Sequence, residues 1–180
     1  PMINPARPAF QLLGVYDPRY IKKMGQALKG NGLNGALIAH GEIHGAQTSG
    51  VDEITACGEN LVFGFGEIST PQIERWSPDK WGMKIHPFEH LAGGDLGKNL
   101  EIMKLLLEGE GPEGLRATVA MNAAVAFLTC GKEGLWTSRD EGTPATALGS
   151  RKLRRGVGNV RRAGSSLTRV EESTETAHPG

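Results

Sequence analysis

This 180-residue sequence has only two cysteines, 6% aromatic residues and a formal charge of zero, and each shortage removes a class of protein. Cys57 and Cys130 stand far apart without metal-ligand spacing, which argues for two reduced thiols and against a disulfide framework or a zinc cage. Charges that cancel predict neither a nucleic-acid nor a membrane partner from composition. No apolar run approaches the roughly 20 residues that span a bilayer. No basic stretch leads into an apolar segment at the start, so a secretory leader is not expected. With 38% hydrophobic and 22% charged residues, the expectation is a soluble cytoplasmic domain with its own core.

Glycine, by contrast, is abundant. The 26 glycines are spread between apolar segments rather than gathered into a linker, the punctuation of an α/β protein with tight connections. Phe10 to Val15 reads as a buried strand. Asp17-Pro18 reads as an N-cap with proline at the first helical position, and Ile21, Met24 and Leu28 recur at helical spacing before Gly30 or Gly32 ends the helix. Ala36-Leu37-Ile38-Ala39 is too short for a helix and predicts a second strand, completing a βαβ unit.

Farther along, Asn60 to Phe65 predicts a strand, with Gly66-Glu67-Ile68 turning back into extended chain. Trp76 to Gly82 reads as a capped helical turn stopped by glycine, with Trp76 and Trp81 packing beside the sheet. Gly93-Gly94-Asp95 opens a helix whose Leu96, Leu100, Met103, Leu106 and Leu107 form one apolar stripe. An alanine-rich helix over about Leu115–Cys130 closes at Gly131. The domain is expected over residues 1–132, and residues 133–180, basic from Arg151 to Arg162 and then acidic and polar, are expected to be a disordered tail. No aromatic residues are interleaved with that basic stretch for base stacking, so nucleic-acid binding is not the favoured reading.

The residues that carry chemistry begin at Gly50-Val51-Asp52-Glu53-Ile54-Thr55. Two adjacent carboxylates leaving a loop together can hold a hydrated Mg²⁺ that bridges to substrate phosphates, although a solvated turn uses the same residues. Neighbours on a strand point to opposite faces, so both acids can serve one metal only from a turn, which Gly50 permits. His40-Gly41 is placed at the carboxyl end of the second strand, where ligands of open α/β sheets bind. His40 and His44 are spaced like a metal pair but do not share a helix face, so a loop-positioning hydrogen bond is preferred to zinc. Asp95 reads as an N-cap rather than part of a phosphate site, and Gly64-Phe65-Gly66 as strand and turn rather than a dinucleotide fingerprint.

Taken together and in order, Asn4-Pro5-Ala6-Arg7-Pro8 with Gln11 to Tyr16, His40-Gly41 with Val51-Asp52-Glu53-Ile54, and Gly82-Met83, Gly93-Gly94-Asp95, Asn99, Gly109 and Asn122-Ala123-Ala124 resemble the C-terminal part of the anthranilate phosphoribosyltransferase family, over residues 1 to about 132. The resemblance implies part of the large α/β domain of the nucleoside phosphorylase and phosphoribosyltransferase fold. It implies transfer of phosphoribosyl from phosphoribosyl pyrophosphate (PRPP) to anthranilate in tryptophan biosynthesis, with Asp52 and Glu53 holding Mg²⁺ and a homodimer as the complete enzyme. No residue present is assigned as a catalytic nucleophile. The family's Gly-Thr-Gly-Gly-Asp phosphate loop and anthranilate-binding arginine are not among these residues, so the chain is expected to carry one wall of the site and to be inactive alone. The loop after His40-Gly41 carries extra residues over 43–48, and the sequence departs from the family's closing helices after about 133. A pyrimidine nucleoside phosphorylase-like enzyme and a non-catalytic nucleic-acid-binding relative are the alternatives.

Overall fold

Asp17 and Pro18 decide how the first strand becomes a helix. The Asp17 carboxylate accepts the Arg19 N–H at 2.8 Å, opening a short 3₁₀ turn over Pro18–Tyr20. That turn runs straight into α1, Ile21–Gly30. The structure, a computed structural model, describes residues 4–43 and 50–131. The tail over 133–180, His44 and most of the loop with the extra residues therefore lie outside the described residues.

Strand β1 (Phe10–Gly14) pairs in parallel with β2 (Gly35–Glu42), with α1 between them, so the expected βαβ unit is present. The chain then turns antiparallel: β3 (Glu59–Phe65) pairs with β2, and the short β4 (Glu74–Trp76) with β3, giving the sheet order β1-β2-β3-β4. Strand β2 is buried along nearly its whole length, as befits a strand covered on both faces.

Its alternation sorts the core. Ala36 and Ile38 face Ile21 and Leu28 of α1 together with Leu13 and Phe65. Leu37 and Ala39 face the other way, toward Val62, Trp76 and the helix α3, Glu113–Thr129. Alanine matters here: Ala117, Ala120 and Ala124 let α3 lie close against the sheet beside Met121 and Val125. As expected, α3 is followed by a glycine in the left-handed region, Gly131 at φ 61°.

One expectation needs correcting. Trp76 ends β4 and is buried in the core, and the helical turn that follows, over Pro78–Trp81, begins after it. The strand was hidden because Glu74 and Arg75 interrupt any apolar pattern; Arg75 pairs with Glu42 and Glu59 across the sheet. The Trp81 side chain lies outside what is described. The helix expected after Gly93-Gly94-Asp95 is present as α2 (Leu96–Leu107), and its stripe lies on the surface: no residue of α2 is buried, and Leu96, Leu100, Met103 and Leu107 are exposed. Among the described residues, no helix is long and apolar enough to cross a membrane.

Candidate functional site

The acids sit where β1 and β2 end, on a turn folded back over the sheet. Gly41 and Val51 form an antiparallel bridge, each N–H donating to the other's carbonyl at 2.9 and 2.8 Å. His40 lies toward the carboxyl end of β2, as expected, opposite Leu61 of β3. Pairing with Leu61, Asn60 and Glu59 of β3 carries the strand past the apolar run that marks it in sequence. The buried His40 imidazole donates from Nδ1 to the Val15 carbonyl at 2.9 Å, tying the β1 exit to β2. That is the loop-positioning role expected of it. The His44 half of the expected pair lies outside the described residues.

Two glycines admit the turn. Gly50 has φ 149°, and a Cβ there would stand 2.3 Å from the Gly41 carbonyl oxygen and 2.6 Å from His40 Nε2. At Gly14 a Cβ would stand 1.4 Å from the Asp52 carbonyl oxygen, so the turn rests directly on the β1 backbone. Asp52 and Glu53 follow as consecutive exposed residues of a bend, not a strand. The requirement that both leave a turn is met.

Although the Glu53 side chain reaches solvent, its carboxyl group is partly desolvated, and this raises its pKa above the usual value; the neighbouring Asp52 charge raises it further. Such a pair repels itself in the absence of a cation and gains from one. Asp17, past the end of β1, is engaged differently: its carboxylate is held below the ordinary range chiefly by hydrogen bonds from the Arg19 side chain and backbone. Among the described residues, no group of three or more His, Cys, Asp or Glu side chains could cage a metal. Two adjacent carboxylates on an open turn fit a Mg²⁺ that keeps most of its waters for exchange with phosphate, and do not fit a closed structural ion.

What sequence reasoning did not find is how the turn is held. The Asn122 amide of α3 grips the next residue on both sides of its peptide unit, accepting the Ile54 N–H at 3.2 Å and donating to the Ile54 carbonyl at 2.6 Å. Its second amide proton goes to the Thr118 carbonyl at 2.9 Å. Thr118 Oγ1 accepts the Ala56 N–H at 3.0 Å. Asn60 does the same to Thr55, accepting its N–H at 2.7 Å and donating to its carbonyl at 3.0 Å. The available signal was small: Asn122 and Thr118 are polar residues four apart in an alanine-rich helix, both poor helix formers.

Asp95 caps α2 by accepting the Lys98 N–H at 2.9 Å, the simple reading expected of it. The Gly94 N–H is taken by Asn99 at 2.8 Å, which removes that amide as a phosphate donor.

Residues 1–145 match the model of the glycosyl transferase family, a/b domain. The chain belongs to this family. Within it, the sequence is 35% identical over 130 residues to the anthranilate phosphoribosyltransferase of Herpetosiphon aurantiacus, a match covering 72% of this chain and 37% of that protein. The crystal structure of the Thermus thermophilus anthranilate phosphoribosyltransferase superposes with a TM-score of 0.56 at 27% identity, over 84% of this chain and 40% of the other. The Saccharomyces cerevisiae enzyme in complex with PRPP and Mg shares the fold, with a TM-score of 0.53 at 17% identity over 87% of this chain and 41% of that one. The chain is a homologue of anthranilate phosphoribosyltransferases that spans about two fifths of their length.

Proposed function

We propose that this chain supplies the metal-holding wall of an anthranilate phosphoribosyltransferase, and that Asp52 and Glu53 hold the Mg²⁺ that accompanies PRPP. The observation that carries this reading is the acidic turn: two consecutive carboxylates, one with a raised pKa, fixed at the sheet end in a member of this family. The yeast homologue's complex with PRPP and Mg supplies the ligand class.

A divalent ion there would neutralise charge on the departing pyrophosphate. The chain's own part is orientation. Gly14 and Gly50 let the turn close on the sheet, His40 fastens the β1 exit, and the asparagine clamps fix the backbone beyond Glu53. With the pyrophosphate so placed, attack by the anthranilate amine on the anomeric carbon needs alignment rather than a protein nucleophile.

The exposed stripe of α2 supports a further part of the reading, that transfer requires the remainder of the family fold and that these residues alone are inactive. The complete enzyme is then a cytoplasmic homodimer.

The test is reconstitution. This chain is mixed with a separately produced N-terminal portion of a close homologue, and loss of anthranilate fluorescence is followed with PRPP and Mg²⁺. Transfer in the mixture, absent from either part and abolished by Asp52→Asn, is the expected result. No transfer in any combination counts against the reading. Preference for a nucleoside and phosphate over PRPP and anthranilate would reassign the chain to the nucleoside phosphorylase branch.

A further inference from the structure

Helix α3 behaves toward residues 54–56 as a neighbouring strand would. In extended chain, alternate residues present their N–H and C=O groups to the same edge, about 6.6 Å apart. Side chains four apart on a helix are separated along its axis by about 6 Å. Asn122 and Thr118 use that near-coincidence: one takes Ile54 and the other Ala56, while Asn60 takes the intervening Thr55. The Asn122 amide orientation is determined by its partners, because reversing it would set its NH₂ against the Ile54 N–H and its oxygen against two carbonyls. All three amide contacts are therefore committed to this one geometry.

We propose that Asn122 is a positioning residue for the acidic turn, so that the affinity of Asp52 and Glu53 for a divalent cation is set from α3. The proposal rests on the metal reading given above. Ile54 directly follows Glu53, is fully buried, and has both its backbone polar groups held by this single side chain. Gly14 supports the turn at Asp52 and Asn122 fixes it at Ile54, on either side of Glu53 in the chain. Losing the amide would release the Glu53 end while the Asp52 end stayed seated. Two carboxylates that no longer share a fixed spacing hold a cation less well, as when outer-shell partners of metal ligands are removed.

The test uses the full chain, with Mn²⁺ and pyrophosphate as probe, and compares Asn122→Ala with Thr129→Ala. Thr129 is a buried residue of the same helix whose hydroxyl donates only within α3, to the Val125 carbonyl at 2.8 Å. Asn122→Ala is expected to weaken Mn²⁺ binding roughly tenfold, as outer-shell losses do. It should also speed amide hydrogen exchange over residues 53–56 about tenfold, a readout that needs no metal. Thr129→Ala should do neither. Faster exchange with unchanged Mn²⁺ affinity overturns the proposal and leaves the metal reading standing, as does an equal effect from Thr129→Ala. Asp52→Asn separates the two claims: if it leaves Mn²⁺ binding intact, or the unsubstituted chain binds none, the metal reading fails and the positioning role fails with it.

Discussion

The same device occurs twice at the same spacing, once in the core and once in water. Asn60 binds the N–H and C=O of Thr55, five residues before it, at 2.7 and 3.0 Å; Asn99 binds those of Gly94, also five before it, at 2.8 and 3.0 Å. Asn60 and Thr55 are fully buried, whereas Gly94 and Asn99 are exposed. With geometry matched, the difference is solvation. A buried peptide unit that loses its partner bears its desolvation in full, while an exposed one is taken over by water. The core clamp is thus structural in the strict sense, and the surface one refines how the chain enters α2.

The glycines beside the two turns sharpen the contrast and give the largest expected effect. A methyl at Gly14 would occupy the Asp52 carbonyl oxygen, and backbone on both sides prevents escape. Gly14→Ala should therefore destabilise the fold by about 3 kcal/mol or more. A methyl at Gly93 meets the Asn99 side chain at 2.7 Å, which can swing into solvent. Gly93→Ala should stay within about 0.5 kcal/mol. Urea melts of the two variants measure this, and equal losses would mean that the acidic turn is not seated on β1.

Next in size are the asparagines themselves. Asn60→Ala strands a buried donor and acceptor and should cost about 2–4 kcal/mol, against about 0.5 kcal/mol or less for Asn99→Ala. The same melts decide it. Similar values for both would show that the clamp's contribution comes from local chain geometry rather than burial.

How much of this was readable beforehand follows the same line. The βαβ unit could be read because its signals are local: apolar runs, an Asp-Pro start, glycine at the helix end. Asp52 and Glu53 were legible as a pair because their chemistry lies in adjacency. The clamp on Ile54 was not, since Asn122 is 68 residues away and nothing in an Asn-Ala-Ala triplet says which backbone it meets. The α2 stripe was legible as a stripe but its cover was not, because periodicity reports that a helix has an apolar face, not that this chain supplies what covers it. His40 was legible at the carboxyl end of its strand, but the last rungs with Asn60 and Glu59 of β3 lie past the apolar run and carry no apolar signal.

Acid should separate the two regions by a smaller amount. The segment around His86 backs the clamped chain, with the His86 N–H donating to the Ala56 carbonyl at 3.0 Å. Burial lowers the His86 pKa below 6.5; Glu113 opposes this, while His90 and Lys84 add to it. The unfolded chain then binds the proton more readily than the folded one. Stability is full above about pH 6.5 and falls as the pH drops from there through the folded-state value. His86→Gln should flatten the melting temperature between about pH 7 and 5.5 relative to the unsubstituted protein. An unchanged slope would place the acid sensitivity elsewhere.

The smallest effect on folding is expected at α2, and it is the one that tests what the exposed region is for. Leu100 and Met103 are 48% and 57% exposed and have little to lose on becoming charged, so Leu100→Glu with Met103→Glu should shift stability by no more than about 0.5 kcal/mol. A glutamate in the same two positions would be intolerable if another surface must close over the stripe. The doubly substituted chain should therefore melt normally and resist self-association better, yet fail to restore transfer when mixed with the N-terminal portion. Sedimentation and the reconstitution assay read those two outcomes separately. Full activity from the charged variant would mean that α2 faces water in the assembled enzyme as well, and that its apolar stripe is not part of the missing contact.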